Sequence, residues 1–199
     1  MSKKLKLCII FYYLFIICSF MMNGLNHLLY LIMCIFLPPV LEIVLSKFIK
    51  ITDTIRCPFL IFSAMAMIGG HTMHFYAFPY FDKILHTTSG LLISTFIAMI
   101  YAYLKHTIDI NNKTDMIIQY LFINGTNVMV AFIWELFEFS LLVLFNIDSI
   151  NHYTTGVYDS ITDMLVAFIG GIFITMCIHH YHQSKKDNII TKTIKNYLN

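Results

Sequence analysis

Six apolar stretches dominate this chain, and each is long enough, or nearly long enough, to cross a membrane as a helix. A helix that spans the roughly 30 Å of hydrocarbon in a bilayer needs about 20 predominantly apolar residues. The predicted spans cover residues 7–22, 27–45, 58–78, 84–104, 117–145 and 160–180. The connections are short and polar. The sequence therefore predicts an all-α, polytopic membrane bundle of about six helices, with residues 1–199 as a single integral membrane domain.

The composition supports a membrane protein and argues against nucleic-acid binding. Hydrophobic residues make up 58% of the chain and charged residues only 12%, with a mean hydropathy of +0.74. A soluble domain has about 25% charged residues. The net charge of +2 is small, and the basic residues are scattered between apolar spans instead of forming a stripe. The five cysteines form no Cys-x-x-Cys pair, so we expect neither a disulfide framework nor a cysteine zinc site.

The distribution of lysine and arginine predicts the orientation of the spans. If the N-terminus is cytoplasmic, twelve of the thirteen basic residues lie on the cytoplasmic side and only Lys83 lies outside. Cytoplasmic loops carry such an excess of basic residues. We therefore expect both termini to be cytoplasmic and the protein to lie in a bacterial plasma membrane. No small-x-small cleavage site follows the first span, which argues against a signal peptide.

Three pairs of ionisable residues lie inside or at the edge of the apolar spans. Each pair has a spacing of three or four residues, which places both members on one face of a helix. The pairs are Asp82 with His86, Glu135 with Glu138, and Asp159 with Asp163. The predicted topology puts all three in the outer half of the bundle. Gly90 and Gly170 continue two of these faces and give a neighbouring helix room to approach.

Carboxylates at membrane depth need a physical explanation, because a charge there costs at least a few kcal/mol. Converging carboxylates also repel one another, and the sequence offers little compensation beyond Lys83 and the histidines. A bound cation or protonation of the acids would resolve the conflict. The motif-bearing core, at about residues 58–180, is therefore predicted to form an outward-facing acidic pocket.

Specific roles follow for the residues of this pocket. Oxygen ligands suit magnesium or manganese, and added histidine allows zinc. The candidate ligands of a divalent metal ion are Asp82, His86, Glu135, Glu138, Asp159 and Asp163. The candidate catalytic residues are His86, Glu138 and Asp163. Asp159 has an alternative interpretation as the cap of the last span.

Several histidines lie elsewhere in the chain. His71 and His74 near the end of the third span are further candidate ligands. His179, His180 and His182 lie next to Lys185 and Lys186, and we interpret them as part of a fraying tail and not as a metal site.

The order of the ionisable residues resembles a known family. Phe-Asp-Lys-Ile-Leu-His-Thr-Thr-Ser-Gly at 81–90 is followed by Trp-Glu-Leu-Phe-Glu-Phe at 134–139 and by Tyr-Asp-Ser-Ile-Thr-Asp-Met at 158–164. These segments resemble the YjdF-type family of small bacterial membrane proteins, over roughly residues 60 to 175. The resemblance implies a six-helix fold but no settled activity. A looser likeness extends to VanZ-like proteins, although the Glu-x-x-Gln and arginine usual in that group are absent here.

Three functions remain open at this point. The pocket can hold a divalent cation and act on a phosphate- or ester-containing lipid or cell-envelope precursor from the outer leaflet. Alternatively, the acids form a proton or cation relay in a small transporter, for which a homodimer would supply the missing size. In a third reading, the protein is a non-catalytic accessory protein that binds an envelope component. Membrane lipids are the expected partners in every case.

Overall fold

The computed structural model describes residues 2–24, 28–47, 49–149 and 151–198, and these ranges contain helices and loops but no strand. His27, at which the second span was predicted to begin, lies outside them. The α-helices are α1 (Lys3–Asn23), α2 (Leu28–Leu45), α3 (Asp53–Ser63), α4 (Phe81–Lys105), α5 (Lys113–Phe145), α6 (His152–Thr155), α7 (Tyr158–Ser184) and α8 (Ile189–Leu198). A π-helical segment (Ala64–Thr72) continues α3, and a 3₁₀ turn (Phe75–Ala77) follows it.

The prediction of an all-helical membrane protein is confirmed. Four of the described helices, α1, α4, α5 and α7, are long and apolar enough to cross a membrane. Residues Leu31–Leu45 of α2 form a shorter apolar helix. The count of six spans and the cytoplasmic position of both termini stay predictions.

The third predicted span differs most from the structure. Its α-helix ends at Ser63, wider π-helical turns extend to Thr72, and His74 adopts a left-handed conformation with φ of 60°. Gly69 and Gly70 lie in the π-helical turns, and a Cβ at Gly70 would lie 2.9 Å from Cζ of Tyr76. The helical path therefore ends near Thr72 and not at residue 78, because the chain folds back on itself at this glycine pair.

The chain divides into two units by its internal packing, Met1–Phe81 and Asp82–Asn199. In the first unit, Tyr12, Ile16, Met67 and Ile68 belong to the buried core of α1, α2 and the π-helical segment. The Tyr12 hydroxyl donates a hydrogen bond to the Cys34 carbonyl at 2.8 Å, which joins α1 to α2. The prediction that residues 1–199 form a single domain stays a prediction.

The second unit contains α4, α5, α7 and α8. Helices α4 and α7 touch backbone to backbone at the predicted small residues. A Cβ at Gly90 would overlap the Ala167 carbonyl, and a Cβ at Gly170 would lie 2.7 Å from the Thr87 carbonyl oxygen. The predicted close approach at both glycines is therefore confirmed.

The end of α7 is ordered and packed, so the interpretation of its histidines as a fraying tail was wrong for His182. This side chain is buried, and its Nε2 lies 2.9 Å from Gln119 Oε1 on α5. The Asn188 side chain donates a hydrogen bond to the Cys177 carbonyl at 2.7 Å, and α8 packs back on α7 beyond it. Side chains of α5 and the turn into α8 thus hold the last turns of α7 in place.

Candidate functional site

The acidic residues of the second unit are positioned by the first turns of two helices. Asp82 lies in the first turn of α4, and Asp159 lies in the first turn of α7. Negative side chains are stabilised there by the helix dipole. His86 and Asp163 follow one turn later on the same helix faces. Because α4 and α7 meet at Gly90 and Ala167, these two faces come together.

Lys83 is the centre of the cluster. Its Nζ atom lies 2.5 Å from Oδ1 of Asp159 and 2.7 Å from Oδ1 of Asp163. The same atom lies 3.6 Å from Oδ2 of Asp82. The Lys83 side chain therefore links α4 to α7 and compensates part of the negative charge. Sequence reasoning counted this lysine as an exception to the basic-residue pattern and gave it no role.

Asp82, His86 and Asp163 form the most compact group of possible metal ligands in the described chain. One ligand atom from each residue lies within 4.8 Å of the others. His86 Nε2 is 3.6 Å from Asp82 Oδ1 and 3.9 Å from Asp163 Oδ1. Two ligands about 2.1 Å from one ion lie roughly 3 to 3.5 Å apart. A small rotation of the carboxylates therefore suffices, and the donor set fits a divalent cation.

The surroundings of this group are mostly dry. The Asp163 side chain is only 4% exposed and that of His86 11%, while Asp82 is 33% exposed. Asp82 is consequently the member through which water or a ligand reaches the group. Its position at the start of α4 makes it the entrance to the site.

Asp159 has a different role from the cap that was considered for it. Its Oδ1 binds Lys83, and its Oδ2 accepts a hydrogen bond from the Asn151 side chain at 2.6 Å. Both carboxylate oxygens are therefore engaged by side chains. The residue that precedes α7 is Val157, which makes no side-chain cap. Asp159 belongs to the ion-paired cluster but lies outside the compact group of three ligands.

Glu135 and Glu138 on α5 lie beside the group but are not part of it. Glu135 is 6% exposed, its Oε1 has no hydrogen-bond partner in the described part of the chain, and Ser160 faces its carboxyl group. Glu138 is half-buried and interacts electrostatically with Glu135, Asp82 and Asp163. The two glutamates therefore supply further negative charge around the three candidate ligands.

His71 and His74 belong to the first unit. The His71 ring packs against Tyr76, with ring centroids 4.9 Å apart. His74 precedes the 3₁₀ turn and is exposed. Both residues are thus accounted for by the fold of that unit.

The membrane-length helices and the buried, lysine-bridged acids define a helical membrane protein with a polar site on α4, α5 and α7. The chain belongs to a family described as predicted membrane protein (DUF2238), whose model matches residues 4–184. This match is consistent with the YjdF-type resemblance of the three motifs, whereas the likeness to VanZ-like proteins has no support. No curated protein and no solved structure matches the chain.

Proposed function

We propose that the cluster on α4, α5 and α7 is a divalent-cation site that acts on a phosphate- or ester-containing lipid or cell-envelope precursor. The observation that carries this proposal is the convergence of Asp82, His86 and Asp163 ligand atoms within 4.8 Å. A mixed nitrogen and oxygen donor set accommodates magnesium, manganese or zinc. A bound ion of this kind polarises a phosphoryl or ester oxygen.

The other residues of the cluster have separable roles in this proposal. Glu138 lies outside the ligand group and within electrostatic range of it, so it is suited to accept or donate a proton. Lys83 shares Asp163 with the ion and provides an ammonium group that can bind an anionic substrate. Asp159 holds Lys83 in place. Glu135 adds negative charge beneath the site.

The distribution of basic residues supports an outward-facing position for this site. In that arrangement the protein lies in the plasma membrane as a multi-pass chain with both termini cytoplasmic. A substrate would then enter from the outer leaflet past Asp82.

Metal binding by purified protein tests the proposal. We expect free Mn²⁺, followed by its paramagnetic resonance signal, to be depleted by about one ion per chain. Asp163→Asn should weaken this binding at least about tenfold, because a buried carboxylate ligand is lost. His86→Gln should do the same.

The matched control is Asp115→Asn, in the first turn of α5, which should bind Mn²⁺ like the unaltered protein. Equal binding by the Asp163, His86 and Asp115 variants would contradict a site at this cluster. So would a well-folded protein that depletes no Mn²⁺, Mg²⁺ or Zn²⁺.

A proton or cation relay is the second candidate function, and buried polar residues deeper in α5 favour it. Asn127 and Gln119 lie on the same α5 stripe as Glu135, at steps of eight residues, and are buried. Against a continuous path, Ile123, Ile174 and Ile178 are buried between Asn127 and Gln119 along the two helices. If the relay is correct, proteoliposomes should acidify or alkalinise when substrate is added, and Asp163→Asn should abolish the signal.

A further inference from the structure

A second polar cluster lies deeper in the second unit, where α4, α5 and α7 meet at Gly171. Ser94, Asn124 and Asn127 surround this glycine. A Cβ at position 171 would lie 2.9 Å from Ser94 Oγ, 2.9 Å from Asn124 Oδ1 and 2.6 Å from Asn127 Nδ2. Ser94 and Asn127 are both 0% exposed. The glycine therefore opens a small, fully buried space lined by polar atoms.

The orientation of both asparagine amides is determined by the hydrogen bonds that their nitrogens donate. Asn124 Nδ2 donates to the Tyr120 carbonyl at 2.9 Å and to Thr175 Oγ1 at 2.7 Å. Asn127 Nδ2 donates to the Ala167 carbonyl at 2.9 Å. The Oδ1 atoms of both amides and Ser94 Oγ are left buried without a partner among residues 2–24, 28–47, 49–149 and 151–198. Every unpartnered atom of the cluster is thus an oxygen.

Buried oxygens of this kind require a ligand. An unpaired polar group in an apolar interior costs a few kcal/mol, and lipid provides no hydrogen-bond donor to relieve it. Three such oxygens on three different helices exceed what strain or chance explains. We propose that they bind a monovalent cation of the sodium class.

The chemistry of the ligands favours this ion over others. Neutral amide and hydroxyl oxygens are hard ligands, which disfavours copper or zinc. Divalent ions are bound in proteins mainly by carboxylates, and those lie at the other cluster. Asp163 is eight residues before Gly171 on α7, a distance of about 12 Å along a helix. The two sites are therefore distinct.

The charge of the surrounding helices adds to the attraction for a cation. Helices α4, α5 and α7 carry five carboxylates around the upper cluster, where only Lys83 compensates them: Asp82, Glu135, Glu138, Asp159 and Asp163. Electrostatic interactions decay slowly in a medium of low dielectric constant. A positive ion at Gly171 is consequently stabilised by acids that it does not touch. A water molecule in the same place would gain little from this field.

The test is the thermal unfolding of the full-length protein in sodium chloride and in choline chloride at equal ionic strength. We expect the midpoint to be higher in sodium chloride by about 3 to 5 °C when Na⁺ is about tenfold above its dissociation constant. Ser94→Ala should abolish most of this difference. Ser94 Oγ has no hydrogen-bond partner among the described residues, so its removal takes away an ion ligand with little structural cost.

Gly171→Ala should also abolish the sodium effect, because the methyl group fills the space. Gly125→Ala on α5 is the matched control, since a Cβ there meets nothing within 4 Å, and it should keep the full effect. Equal midpoints in sodium and choline chloride for the unaltered protein would overturn the proposal and leave water as the occupant. A sodium effect that survives in both Ser94→Ala and Gly171→Ala would overturn it as well.

Discussion

Lys83→Met should lower the free energy of unfolding by about 3 kcal/mol, because it leaves two carboxylates in the membrane-spanning unit without their counter-ion. Lys83 binds Asp159 and Asp163 at 2.5 and 2.7 Å, and the Asp163 side chain is only 4% exposed. Methionine keeps most of the side-chain volume, so the loss reports the charge. Unfolding by denaturing detergent in mixed micelles measures the change.

A double substitution separates this pairing from general effects. Asp163→Asn in the Lys83→Met background should cost less than it does alone, because the carboxylate that it removes is already unpaired. Lys105→Met, at the other end of α4, is the control and should change stability by less than about 0.5 kcal/mol. If Lys83→Met proves as mild as Lys105→Met, Lys83 does not hold α4 and α7 together.

Gly90→Ala should destabilise the protein by about 3 kcal/mol and also weaken Mn²⁺ binding at least about tenfold. The added Cβ would overlap the Ala167 carbonyl and lie 2.8 Å from both its carbonyl carbon and its Cα. These are backbone atoms, so no side chain can turn away. Helices α4 and α7 must separate, which moves Asp82 and His86 away from Asp163.

The control for Gly90→Ala is again Gly125→Ala. Alanine has the higher helix propensity, and open space surrounds Gly125, so this variant should be neutral or slightly more stable. Calorimetry and the Mn²⁺ titration provide the two readouts. Unchanged Mn²⁺ affinity in a destabilised Gly90→Ala protein would show that the ligand group does not depend on this helix contact.

The long helices could be predicted from the sequence because uninterrupted apolar stretches leave few alternatives. The predicted spans 84–104 and 117–145 agree with Phe81–Lys105 and Lys113–Phe145 to within a few residues. The third span was harder, since hydropathy does not distinguish α-helical from π-helical turns. The glycine pair at 69 and 70 was the available signal for the change.

The site was predicted in part. Spacing along single helices was enough to group Asp82 with His86, and Asp159 with Asp163. The role of Lys83 depends on the distance between α4 and α7, which Gly90 and Gly170 set, and spacing within one helix does not contain it. The cluster at Gly171 escaped notice because its members are neutral, although Asn124 and Asn127, three residues apart in an apolar span, were a usable signal.

The central claim is that Asp82, His86 and Asp163 hold a divalent cation. Anomalous X-ray scattering from crystals of the protein grown with Mn²⁺ tests it most directly. The account predicts a single strong peak within about 2.3 Å of His86 Nε2 and of one oxygen from each aspartate. A map with no peak at this group, while Lys83 stays bound to Asp159 and Asp163, would contradict it.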